Sequence, residues 1–480
     1  GRINFPFGAT SDGRITISQP VQTRFSFDYS ASGTYDLNNT FQFVTSAGVQ
    51  YNRFQQTVFV VSTDGLPSPL FTSLSNGTAF NLPLPRHDVT ERRSLGFYFQ
   101  EQIGINGRLF FTAAVRADDA SSFGSETTRS YYPKFSTTWT VSEESFWNVD
   151  FVNSARIRAA WGKAGRQPNV FARTPQYGAA VGPGSSNAIR LDAPGNPFVG
   201  PENSQEIEAG IDIAFLDDRV FGEFTYFKQW VTDALVNQSL APSEAFTGSK
   251  SVNFGELENW GWELALDVTL YESDAFSANI RVSGDHTENR ITRLSQEISQ
   301  NANFQEGWMR PNVASVLMDS AKWEDPTDIY NSAALAWCDA GDPLSRSGLG
   351  QGGLSIPCAL ANEMDQELLI GSSFPSHTWS IAPTLRFLQN RLEVFALAEG
   401  RYGTWRYCLD CAQRSGLTGD QNSKQGWLET DPSIVAGQRF NDDRYQGRFD
   451  ASFWRVRELG ARYQIPQSFS GNLGMDRASI

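Results

Sequence analysis

The sequence predicts an all-β protein: an antiparallel transmembrane β-barrel with long extracellular loops. Three observations predict it. Apolar and polar residues alternate with period two over runs of roughly 9 to 14 residues, where soluble strands average ~5–6. The connections between these runs alternate short and long along the chain. No stretch nears the ~18 apolar residues of a membrane helix, and alternation hides an apolar strand face within a mean hydropathy of -0.37.

The alternation begins in Gln22–Tyr35 and Thr40–Arg53, joined by the tight turn Asp36-Leu37-Asn38-Asn39. Arg93–Gly104 and Leu109–Asp118 follow around Ile105-Asn106-Gly107-Arg108. Tyr131–Val141 and Ala155–Lys163 flank a somewhat longer turn, Ser142–Ser154. In Glu206–Phe215, Ile207, Ala209, Ile211, Ile213 and Phe215 share one face, and Glu206, Glu208, Gly210, Asp212 and Ala214 the other. After Leu216-Asp217-Asp218-Arg219 comes the aromatic-rich Phe221–Val231. Trp260–Leu270 sets Trp260, Trp262, Leu264, Leu266, Val268 and Leu270 against Gly261, Glu263, Ala265, Asp267 and Thr269. Phe276–Ser283, Thr378–Phe387, Arg391–Tyr402 and Phe453–Tyr463 complete roughly 13 strands, each long enough to cross a bilayer at a tilt, which takes ~9–11 residues.

Alternation alone also fits a soluble sandwich, which buries its apolar face against a second sheet. The connections favour the membrane. Tight turns alternate with the longer stretches Phe54–Thr90, Asp119–Ser130, Ala164–Gln205, Thr232–Asn259, Gly284–His377 and Gly403–Ser452. In an up-and-down meander this puts short turns at one rim and long loops at the other, as in outer-membrane barrels. Greek-key connections have no reason to segregate them.

Composition excludes other classes. With 53 Asp+Glu against 39 Lys+Arg the net charge is -14, the wrong sign for a nucleic-acid partner. Only 19% of residues are charged and 13% are aromatic, so this is no disordered acidic chain. The motif Gly348-Leu349-Gly350-Gln351-Gly352-Gly353 matches a dinucleotide fingerprint only in letters, because it lies inside the longest loop rather than between strand and helix. Cys408-Leu409-Asp410-Cys411 lacks the His of a haem attachment and the second pair of a zinc site. The disulfide candidates are Cys338, Cys358, Cys408 and Cys411, paired within each loop or across the two loops. His87, His286 and His377 form no metal or triad motif, and acidic pairs such as Asp118/Asp119, Glu143/Glu144 and Asp442/Asp443 read as solvated loop acids or a loop calcium site rather than as acid–base catalysts. No catalytic group, metal or cofactor is expected. Trp308, Trp323, Tyr330, Trp405 and Tyr407, aromatics in long loops, are the ligand-contact candidates, able to stack on a sugar ring or peptide side chain. Loop packing and the interfacial girdle are the alternative roles for such aromatics.

The strands also carry words in a fixed order. Ser94–Gln100, then Gly107-Arg108-Leu109-Phe110-Phe111-Thr112-Ala113 and Arg116-Ala117-Asp118-Asp119-Ala120-Ser121-Ser122-Phe123-Gly124, resemble the SusC/RagA family of TonB-linked outer-membrane receptors. Tyr132-Pro133-Lys134-Phe135-Ser136 with Trp139, Ser142, Glu143 and Glu144 is similar to the family's next strand. So are Ala155–Gln167, with Arg166 where the family has Asn, and Asn259-Trp260-Gly261-Trp262-Glu263. Ser452–Leu459 and Tyr463-Gln464-Ile465-Pro466 resemble a segment near the family's C-terminus.

The resemblance implies a barrel of about 22 strands, of which residues 1–480 form part of one barrel domain and residues 284–377 the longest extracellular loop region. It implies that the plug domain, the TonB-contacting stretch and the last strands lie outside this sequence. It further implies TonB-dependent import of an oligosaccharide or peptide through the outer membrane, under a SusD-like surface lipoprotein as lid. Two other readings stand beside it: a barrel serving as a structural anchor in a larger surface assembly, and a soluble extracellular carbohydrate-binding β-protein.

Overall fold

The computed structural model of the chain describes residues 2–4, 14–66, 70, 72–77, 86–124, 129–240, 249–294, 312–315, 318–323, 335–340, 354–357, 368–407, 448–467 and 478–480. Thirteen long strands run through them: β1 (Arg14–Asp36), β2 (Phe41–Asp64), β3 (Arg86–Ile105), β4 (Leu109–Ala120), β5 (Ser130–Thr140), β6 (Val152–Arg166) and β7 (Glu202–Phe215). They continue as β8 (Val220–Thr232), β9 (Gly255–Glu272), β10 (Phe276–Leu294), β11 (His377–Phe387), β12 (Leu392–Tyr402) and β13 (Phe453–Ile465). The hydrogen-bonded order repeats the chain order, which is an antiparallel meander. Short strands Arg2–Asn4 and Ala478–Ser479 pair with β1 and β13.

The tight turns explain why the chain reverses where it does. Asn106 and Gly107 have φ of 51° and 69°, both left-handed, and Arg108 N donates to Ile105 O at 3.0 Å, closing a three-residue connection between the paired Ile105 and Leu109. Asn38 Oδ1 accepts from the Thr40 and Phe41 amides at 2.8 and 2.9 Å, closing the turn between β1 and β2. Leu216, Asp217 and Asp218, and again Leu388, Gln389 and Asn390, hold φ between 55° and 66°.

The structure lengthens several strands beyond the sequence expectation. β2 continues past Arg53 to Asp64 and β3 begins at Arg86, so much of Phe54–Thr90 is ladder rather than loop. β10 likewise runs past Ser283 to Leu294. The reason is physical: where both strand faces meet water, neither must be apolar, and the period-two signal fades while the hydrogen bonds continue.

The chain divides into two compact units. The first comprises Gly1–Ser136, Gly162–Ser204 and Asp233–Phe254, the second Thr137–Trp161, Gln205–Thr232 and Gly255–Ile480. In the first, β1 to β4 form an unbroken ladder, with 23 residue pairs between β1 and β2 from Arg14↔Asp64 to Asp36↔Gln42. Hairpins Gln176–Val181/Asn187–Ala193 and Leu235–Ser239/Ser249–Asn253 lie in its long connections. Reciprocal bonds tie down the second: Gly200 N donates to Asn253 Oδ1 at 2.8 Å, and Asn253 Nδ2 donates to Gly200 O at 2.9 Å. In the second unit Val141, Val152 and Ala155 are buried against Trp139, Trp147, Val149 and Ile213 beside a short turn.

Candidate functional site

Cross-strand register converts the two strand faces into rows of facing side chains. On the apolar face of the second unit, Tyr226, Trp262, His286, His377 and Tyr402 lie directly opposite one another across β8, β9, β10, β11 and β12. Trp262 meets Trp379 edge-on with centroids 5.8 Å apart, and His286 stacks on His377 at 4.3 Å. On one side of this row the face is Phe224, Leu264 and Trp379. On the other it turns ionic, with Lys228 Nζ 3.3 Å from Glu258 and Arg293 3.3 Å from Glu256. The first unit repeats the change. Phe27, Tyr51 and Leu95 share a row, and two residues on Arg53 and Arg93 hold Glu91 at 2.6 and 2.5 Å. Those two guanidiniums keep the Glu91 carboxylate pKa below its ordinary value.

The apolar face otherwise exposes Phe25, Phe27, Tyr29, Phe97, Phe99, Phe111 and Val115. One carboxylate interrupts it. Glu101 lies opposite Thr45, whose Oγ1 donates to Oε2 at 2.6 Å; Oε1 is buried and has no hydrogen-bond partner among the described residues.

The polar face of each unit carries charged and hydroxyl side chains in paired rows. In the second, Thr225, Glu263, Asp285, Thr378 and Arg401 form one row, and the next row is Glu223, Ala265, Ser283, Ser380 and Glu399. They line a concave pocket of about 430 Å³. Thr378 Oγ1 donates to Asp285, and Ser283 and Ser380 hydroxyls lie 2.7 Å apart. Arg457 holds Glu399 at 2.5 Å, while Arg158 bridges Asp212 at 2.8 Å and the Thr225 hydroxyl at 3.2 Å. In the first, Arg116 Nε donates to Asp118 at 2.8 Å and its Nη2 to Gln50 at 3.0 Å. Further along β1–β3 is a basic pocket of about 910 Å³ that includes Arg24, Arg92 and Arg166.

Such a wall needs lipid on one side and water on the other. The chain matches the TonB dependent receptor-like β-barrel family over residues 1–476. The chain belongs to that family. Its apolar face is therefore the lipid-facing surface of an outer-membrane barrel, and its polar face the lumen side. The family is one of receptors and transporters, not of enzymes. TonB-dependent receptor P26 of Formosa agariphila is 27% identical over 248 residues, covering 49% of this chain and 25% of that protein. TonB-dependent receptor SusC of Bacteroides thetaiotaomicron is 27% identical over 219 residues, 43% of this chain and 22% of that protein. A solved structure of the RagAB peptide transporter superposes with a TM-score of 0.74 at 18% identity, over 97% of this chain and 52% of that one. These relatives carry the SusC/RagA resemblance read in the strand words, and they exclude the soluble sandwich. The chain spans about a quarter of these two curated relatives and half of the solved transporter chain.

Of the residues singled out as candidate contacts, Trp308, Tyr330, Cys358, Cys408 and Cys411 lie outside the described residues. Trp323 ends strand Met318–Trp323, and Cys338 lies in Leu335–Ala340 opposite Ile356. Trp405 and Tyr407 bound a short strand that pairs with Arg448–Asp450, Trp405 opposite Asp450. Trp405 is not among the described residues that line either lumen pocket. What the sequence reading missed was the paired rows of the polar face, whose members are distant in sequence and adjacent only through register.

Proposed function

We propose that this chain forms the greater part of the wall and outer loops of an active outer-membrane importer of the SusC type. In this reading a bulky nutrient, an oligosaccharide or peptide, is captured under a SusD-like lipoprotein and admitted when TonB supplies force. The observation that carries it is the family match running along essentially the whole meander, with a polar face rich in ion pairs that suits a wet lumen. The chemistry is binding and gating; the ionised rows orient water and solute and need form no covalent bond. Trp405 and Tyr407, with Trp308, Trp323 and Tyr330, are proposed as stacking contacts in the outer loops. Cys338 with Cys358, and Cys408 with Cys411, are proposed as local staples.

Uptake of labelled oligosaccharides and peptides by cells tests this. Accumulation should require both the intact gene and TonB, and should fall on deletion of the cognate lipoprotein gene. Wild-type accumulation that survives loss of TonB would refute active import.

A further inference from the structure

In a chain of net charge -14, the first unit carries a lumen-side pocket of the opposite sign. Arg24, Phe54 and Arg92 lie directly opposite one another in β1, β2 and β3. The two guanidinium carbons stand 5.4 and 5.8 Å from the Phe54 ring centroid, so one aromatic ring holds two cations beside it. Arg166, at the end of β6, lines the same pocket of about 910 Å³. The row below brings hydrogen-bonding groups: Ser26 Oγ donates to Asn52 Oδ1 at 2.9 Å, which leaves the Asn52 amide hydrogens as donors, and Ser94 faces them.

These arginines differ from the others around them. Arg14, Arg53, Arg93 and Arg116 each hold a carboxylate within 2.5 to 2.8 Å. Among the described residues Arg24, Arg92 and Arg166 form no ion pair. Three unneutralised cations around one cavity repel each other, and an incoming anion relieves that cost. The planar guanidinium fork matches the paired oxygens of a carboxylate or sulfate.

The level of the pocket fits a solute-facing role. Arg24 is twelve residues from the Asp36 turn, beyond the ~9–11 that a strand needs to cross the bilayer. Beside it on the lipid-side face stand Arg53, Glu91 and Arg93, an ionic group that belongs outside hydrocarbon.

We propose that Arg24, Arg92 and Arg166 form an oxyanion-binding subsite at the outer part of the lumen, and that the imported solute carries carboxylate or sulfate groups. The class of solute rests on the importer reading; the subsite itself is measured by binding, without transport. The receptor purified from outer membranes in detergent is titrated with labelled sulfated dextran oligosaccharide, oligogalacturonate, oligoglutamate and neutral dextran. At least one anionic probe should bind while neutral dextran does not, and which one binds identifies the oxyanion and its carrier. R24Q/R92Q should weaken that binding at least tenfold and flatten its salt dependence, R166Q several-fold, and R24K/R92K should retain part of it. R190Q, which removes the exposed pair with Asp192, should leave it unchanged. Thermal melts of each variant establish folding. Failure of every anionic probe to bind wild type overturns the subsite. So does undiminished binding in R24Q/R92Q/R166Q. Binding that behaves as stated in cells that show no TonB-dependent uptake would leave the subsite standing and sink the importer.

Discussion

Glu101 places a carboxylate on the lipid-facing surface, and a single hydroxyl answers it. Replacing Thr45 by Ala leaves both carboxylate oxygens without partners and should cost about 1–3 kcal/mol of unfolding free energy in urea titrations of the reconstituted barrel. Glu101→Gln, which removes the charge, should be tolerated better than Thr45→Ala; the reverse order would show that Glu101 is partnered elsewhere. Asp450 offers a pH-dependent counterpart outside the membrane. It accepts from the Ser452 hydroxyl at 2.5 Å and the Ser452 amide at 2.8 Å, and these bonds hold its pKa below the ordinary carboxylate value. The folded state therefore binds this proton less readily than the unfolded chain. Its stabilising contribution is complete above the unfolded value, about pH 4, and disappears as pH falls through the lower folded value. Hydrogen exchange at the Ser452 amide should accelerate across that acid window, and Asp450→Asn should abolish the pH dependence. Neither residue is conspicuous in sequence, because each matters through a partner that only the folded ladder supplies.

At the level of the strand, the turns were only partly legible. Asn106-Gly107 announces a left-handed hairpin through its residue types, and the structure has it. Leu216-Asp217-Asp218 and Leu388-Gln389-Asn390, also read as tight turns, adopt the same region without a glycine; Asp and Asn tolerate it, whereas Leu216, Leu388 and Gln389 do not announce it. Gly107→Val should therefore destabilise the β3–β4 hairpin by about 1–2 kcal/mol, read as a lowered urea midpoint with unchanged slope. An unchanged midpoint would mean the turn relaxes to another form. The faces of the strands were legible throughout the membrane level, since lipid demands an apolar residue at every second position. They were not legible beyond it, where Gln55, Gln56 and Thr57 read as loop and form ladder. The Arg24–Phe54–Arg92 row was invisible for a related reason: its members come from three strands, and only register joins them.

For the whole molecule, family and membrane setting follow from the ordered meander, while cargo does not follow from it. Binding and assembly should separate. Deletions confined to residues 295–367 should abolish capture of the lipoprotein, measured by pull-down, and leave heat-modifiable barrel assembly on gels intact. Retained lipoprotein capture after such deletions would place its docking on other outer connections. The reach of that wall also decides what meets the cell's surroundings. From Phe25, at the edge of the apolar band, β1 continues eleven residues to Arg14, fully laddered to β2. At ~3.3 Å per residue and a tilt of ~40°, the strands stand ~30 Å clear of the bilayer. Phage, bacteriocins and antibodies that reach β1 and β2 here meet a stiff laddered wall rather than loop. Loops evade such binders by gaining and losing residues. A laddered wall cannot, because one inserted residue turns every following side chain to the opposite face. Escape is then confined to point substitutions at outward positions such as Gln55 and Thr57, and the outline of the structure stays fixed while its surface chemistry drifts.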